Sequence, residues 1–220
     1  MTVVTILHSL NDSAILHSMS ISAMTGPITG REAKKAATLR RIQLRALELT
    51  RDRGLDGWTM DELADAAEVS RRTLFNYVPG KVDAVIGSVP EIPDAALATF
   101  VGGGPHGVLL DDVGELALHL LDDEDFTPDL VDLRMQVATA TPRLMLVAHE
   151  RFQEVLTQMS GHILAREGKE FGEHRAALLV RLCVAFFDVA LQQFSQDPHE
   201  APLSQRFLDA LATGRELLGP

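Results

Sequence analysis

The sequence predicts an all-α fold: a small N-terminal three-helix unit followed by a larger helical body. Three observations predict it. Apolar residues recur at helical spacing in almost every segment between breaks. No stretch of useful length alternates as a strand would. The breaks are turn and loop signals: Gly26-Pro27 with Gly30, then Pro90, Pro93 and Gly102 to Gly107, then Asp197-Pro198 with Pro202. They divide the chain into an arm (1–30), a first unit (31–85) and a second (86–220).

The arm is rich in Ser, Thr and Met and has no sustained period, so it is expected to be flexible. It holds no Lys or Arg, so a secretory signal would lack its positive end. Met24 is a second candidate start. The first helix is expected from Arg31 or Lys34 to Arg53, with Leu39, Ile42, Ala46 and Leu49 on its buried face and Gly54 as its C-cap. Thr59 opens a second, short helix to Ala66, with Glu62 completing a capping box. Ser70 caps a third, from Arg71 to about Tyr77, ended by Pro79-Gly80. A fourth starts near Lys81. Five more are expected near 108–121, 127–138, 142–166, 172–195 and 203–218. The 172–195 helix is apolar on nearly all sides between Ala176 and Leu191, so it must be buried in a core, an interface or both.

Apolar residues at 46% and charged residues at 23% argue against wholesale disorder. A single cysteine, Cys183, sits in an apolar run and is expected as a buried thiol in a reducing cytoplasm. No uninterrupted apolar run reaches the roughly 18 residues of a membrane span, so no membrane partner is expected. The net charge of -11 is uneven: residues 31–81 carry +3 and residues 82–220 carry -13. A basic contact module on an acidic body would turn its basic end toward phosphate.

Two short helices separated by a few residues have the size of a helix-turn-helix. The second helix of such a pair lies in the major groove with its N-terminal residues at base edges. Here Ser70 caps that end, and Arg71, Arg72 and Thr73 follow. Arginine suits guanine and threonine a thymine methyl or phosphate, while Asn76 suits adenine or phosphate. Tyr77 and Lys81 would fix the register on the backbone, and the Thr59 helix end is a phosphate seat.

The run Ile42-Gln43-Leu44-Arg45-Ala46-Leu47-Glu48-Leu49, then Gly54, then Thr59-Met60-Asp61-Glu62-Leu63-Ala64, then Ala67 to Lys81 resembles the DNA-binding domain of the tetracycline-repressor (TetR) family. The resemblance implies phosphate contacts from Thr59, Thr73, Tyr77 and Lys81, and base contacts from Arg71, Arg72 and Asn76. Thr50, Phe75, Val78 and Gly80 depart from the family pattern, and Trp58 is placed to fill the space that Thr50 leaves. Thr141-Pro142-Arg143 with Glu150-Arg151-Phe152 resembles the family's ligand-binding domains loosely. The family also implies a homodimer, its last two helices pairing as a four-helix bundle. Double-stranded operator DNA, a second copy and an unknown small-molecule effector are the expected partners, with repression as the usual outcome.

Met135, Met145, Phe152, Met159 and Phe186 are candidates to line an effector pocket, or plain core. Arg181 and Asp188, seven apart, share a helix face. They would pair across the dimer, bind an effector or form a wetted edge. Phe187, Leu191, Phe207 and Leu211 are the apolar interface candidates. No metal or other cofactor is expected: His149 and His162 are isolated, and Asp122 to Asp125 lacks the pattern of a calcium loop and reads as a solvated loop. No phosphate loop follows Gly102-Gly103-Gly104, and there is no Gly-x-Ser-x-Gly elbow, so no enzyme is expected. The competing reading is a DNA-binding or adaptor protein whose second unit only dimerises.

Overall fold

The computed structural model describes residues 30–87, 92–121 and 127–219. The arm, Pro90 and the acidic run Asp122 to Asp125 therefore lie outside the described residues, apart from Gly30 at the arm's end. Among the described residues the fold is all-α, with ten helices and no strand. They are α1 (Gly30–Arg53), α2 (Met60–Ala66), α3 (Arg71–Tyr77), α4 (Lys81–Ile86), α5 (Asp94–Val101), α6 (Leu109–Leu118), α7 (Pro128–Ala140), α8 (Pro142–Glu167), α9 (Glu173–Gln196) and α10 (Leu203–Leu218). A 3-10 turn, Lys169–Phe171, links α8 to α9.

One helix was not foreseen. α5 lies between Pro93 and Gly102, and its eight residues have too little polar contrast to show a period. What holds it is tertiary: Phe100 is buried against Val113, Met159 and Ile163. α4 is shorter than a continuous connector would be, because Gly87 (φ 85°) turns the chain out of the helix.

Three apolar clusters form a nearly continuous core. The first joins Ile42, Leu47, Trp58, Leu63, Leu74 and Ile86 to Leu133, Leu144 and Phe152, so packing runs across the expected boundary at residue 85. The second lies between α5, α6, α8 and α9. The third fastens α10 to α9 through Leu191, Phe194, Leu203, Phe207 and Leu211. Two glycines permit the close approach of helices there. A Cβ on Gly214 would lie 2.2 Å from the Phe186 ring, and one on Gly114 would lie 2.4 Å from Leu211.

Two arginines on α8 tie distant segments together. Arg166 Nη2 donates to Asp112 Oδ2 at 2.6 Å, and its guanidinium also donates to the carbonyls of Phe100, Gly103 and Gly104. Asp112 accepts in turn from the backbone N–H groups of His106 (2.6 Å) and Gly107 (3.1 Å). The glycine-rich segment 102–107 is thus clamped by a buried ion pair. Arg151 donates to Asp83 Oδ1 and to the carbonyl of Gly87, joining α8 to the end of α4.

α9 is long and apolar enough by length and composition to cross a membrane. It packs against both α8 and α10, with Ala176, Val180, Cys183, Ala190, Leu191 and Phe194 buried, and carries Arg181 and Asp188 midway. Burial pushes the Cys183 thiol up to about 12, which leaves it unreactive near neutral pH.

Candidate nucleic-acid interface

Local rules build the helix-turn-helix. Gly54, with φ 74°, closes α1 by donating its N–H to the Thr50 carbonyl at 2.8 Å. Thr59 caps α2 in a full capping box: Glu62 N–H donates to Thr59 Oγ1 at 3.2 Å, and Thr59 N–H donates to Glu62 Oε2 at 2.7 Å. Thr59's backbone N–H, then Arg53's guanidinium, hold the Glu62 carboxyl below its usual range. Ser70 caps α3 by accepting from Thr73 N–H at 3.0 Å. Between the two helices Glu68 occupies the left-handed region at φ 52°, and Arg41 Nε donates to the Ala67 carbonyl at 2.8 Å. That bond pins the turn to α1.

α3 buries Leu74 and presents Arg71, Arg72, Phe75 and Asn76 to solvent. Arg71 is held on one side by Asp61, 2.9 Å away, and lies 5.7 Å from the centroid of the Phe75 ring. The Thr73 hydroxyl shares a 2.7 Å hydrogen bond with Ser70 Oγ, and Tyr77 is half-buried against the first core cluster. Lys81 is turned inward: its ammonium donates to the Leu55 carbonyl at 3.1 Å and lies 4.9 Å over the Trp58 ring. Trp58 is buried and donates to Thr50 Oγ1, so it fills the space that Thr50 leaves.

The structure thus gathers Ser70, Arg71, Arg72, Thr73 and Asn76 at one exposed helix, with Thr59 at the neighbouring helix start. Phe75, 44% exposed on the same helix, is an apolar reader candidate that reasoning from residue type passed over. Its place beside Asn76 in a helix of only seven residues was the available signal.

The other candidate residues are dispersed. Met135, Met145 and Phe152 pack with the first cluster, Met159 with the second and Phe186 with the third. Leu191, Phe207 and Leu211, expected at an interface between copies, are buried within the chain and hold α9 to α10; Phe187 packs against the same cluster. Arg181 is exposed but Asp188 is buried, so the face they share by spacing is open at one and covered at the other. Asp188 Oδ1 has no hydrogen-bond partner, and burial pushes the carboxyl up to about 7. What α9 leaves open is a stripe of Leu178, Ala185 and Val189, with Leu182 half-buried beside it. Among the described residues no three His, Cys, Asp or Glu side chains gather as a metal site.

No curated protein matches the chain. Residues 44–83, which run from α1 through the helix-turn-helix into α4, match the family model described as bacterial regulatory proteins, tetR family. The capped and pinned helix pair with its exposed arginines falls within the matched residues and is similar to the DNA-binding unit of that family.

Proposed function

We propose that the protein is a cytoplasmic homodimeric repressor that binds a near-palindromic operator and is released by a small-molecule effector. The exposed face of α3 carries this reading, because Arg72 and Asn76 stand clear of the protein on a helix capped at its N-terminal end. The dimer is supported by the open apolar stripe on α9, which a second copy would cover. Two copies of α3 would then enter successive major grooves about 34–36 Å apart. The effector would shift the balance between two helix separations and lower DNA affinity by their coupling energy, typically about 1–3 kcal/mol. α4, held to α8 by Arg151, is one route by which such a change could reach the reading helices.

The test is binding of the purified protein to the DNA upstream of its own gene and of its divergent neighbour, at two salt concentrations. Salt-sensitive binding to one site that survives excess competitor DNA is the expected result. Purely non-specific binding would favour an adaptor role.

A further inference from the structure

The seam between the DNA-reading helices and the body contains a cleft of about 660 Å³, walled by α1 on one side and by Thr127 and α7 on the other. That volume is within the range of small-molecule sites, about 300–1,000 Å³. Two polar side chains lining it are nearly out of solvent, Gln43 at 4% and Arg134 at 2% exposure. Leu44, Leu130 and Leu133 add apolar surface. The lining holds four arginines against three carboxylates, a positive excess in a chain whose net charge is -11. One of those carboxylates, Glu48, is engaged by Arg45 at 2.6 Å, and one of the arginines, Arg51, by Asp52 at 2.8 Å, so the excess of one positive charge stands. A guanidinium has several N–H donors, so an arginine held within the protein can still turn donors toward a ligand, and its fork matches carboxylate and phosphate oxygens.

We propose that this cleft is the effector site and that it takes a small amphipathic anion. The carboxylate or phosphate-type head would bind at Arg134, with the apolar body against Leu44, Leu130 and Leu133. This rests on the reading of the chain as an operator binder released by an effector. The location supplies the coupling: α1 also carries the Arg41 bond to the helix-turn-helix turn, so a molecule wedged between α1 and α7 acts on the reading unit without an intermediate helix.

The experiment is calorimetric titration of the full chain with 2-naphthoate, and with 2-naphthylmethylammonium as a cation of similar body, beside an operator-binding assay. Saturable naphthoate binding at least tenfold tighter than that of the cation is expected, together with loss of operator affinity. Arg134→Met should weaken naphthoate at least tenfold. Because a buried arginine also supports the fold, Leu44→Trp is the second variant: it fills the cleft from a position 37% exposed and should block naphthoate while operator binding persists. Equal affinity for the cation, undiminished binding to Leu44→Trp, or no saturable naphthoate binding would overturn the proposal. Failure of the ligand-free protein to bind any operator would instead count against the regulator reading, and the titration would still report on the cleft.

Discussion

The indole Nε1 of Trp58 donates a 3.0 Å hydrogen bond to Thr50 Oγ1, fastening the loop before α2 to the last turn of α1. The threonine hydroxyl in turn donates a hydrogen bond to the Ala46 carbonyl at 2.7 Å, so both groups are satisfied without water. Trp58→Phe should keep most of the packing and lose the bond, costing about 0.5–1.5 kcal/mol. Trp58→Ala should cost about 3–5 kcal/mol. Thermal unfolding measures both; equal losses would mean that the hydrogen bond, not the ring, dominates.

Arg72 and Lys81 should separate cleanly on DNA. Arg72→Ala is expected to lose about 1–3 kcal/mol of operator affinity and to relax base preference at one position. Lys81→Ala should lower stability, since the ammonium serves Leu55 and Trp58, and should leave the salt slope of binding nearly unchanged. A lysine on a phosphate would instead reduce that slope by about 0.9 per contact. Binding isotherms over a salt series decide the point.

The exposed Phe75 ring has no polar atom to offer a phosphate, so its natural partner on DNA is a thymine methyl. Replacing the facing thymine by uracil should weaken binding by about 0.5–1 kcal/mol, the worth of one buried methyl. Phe75→Ala should abolish that sensitivity. If no operator thymine shows a methyl effect that disappears in the variant, Phe75 does not read DNA.

Asp112 is expected to matter most in acid. Burial pushes its carboxyl up, but the N–H groups of His106 and Gly107 and the Arg166 guanidinium outweigh it, and the net shift is downward. A depressed folded value means stability that is present above the ordinary carboxylate range and is lost as pH falls through the folded value, below about pH 4. Asp112→Asn should cost about 1.5–3 kcal/mol at neutral pH, because it removes the charged hydrogen bond to Arg166 and leaves Glu167, 3.0 Å away, as the counter-ion of that buried guanidinium. It should also flatten the acid limb of a stability profile.

Asp188 should behave in the opposite sense. Its folded value near 7 lies above the unfolded one, so its ionisation opposes folding. Stability from this group falls as pH rises from about 4 to 7 and is level above that. Asp188→Asn should therefore stabilise the chain at pH 8 by about 1–2 kcal/mol, allowing for partial solvent access, and do little at pH 4. Melting curves at the two pH values test it. A loss at pH 8 would place a cation on the carboxylate in the assembled protein.

The helix-turn-helix was legible because its determinants are local. Thr59 with Glu62, Ser70 with Thr73, and Gly54 each act within a few residues, so the letters alone specify the caps. The Thr50 and Trp58 exchange was also visible, since the two lie eight residues apart on adjoining elements. The inward turn of Lys81 was not: its partner Leu55 is 26 residues away, so no local pattern places the ammonium on that carbonyl and on the Trp58 ring. Nor does an apolar stripe say what covers it. Leu191, Phe207 and Leu211 have the periodicity of an interface, but α9 and α10 of one chain cover them for each other. The cleft between α1 and α7 was hidden for the same reason, because no pattern in either helix reveals the distance between them.

The brevity of α4 has a mechanical meaning. Six residues make a rod about 9 Å long, stopped at Gly87 and bolted at that end to α8 by Arg151. A long pendulum helix magnifies a small push at its far end. A stub gripped so near its tip passes displacement on roughly one for one. In the proposed dimer the two reading helices would then be repositioned by translation of whole helices rather than by a swing, and the signal would be limited by how far α8 and α1 themselves travel.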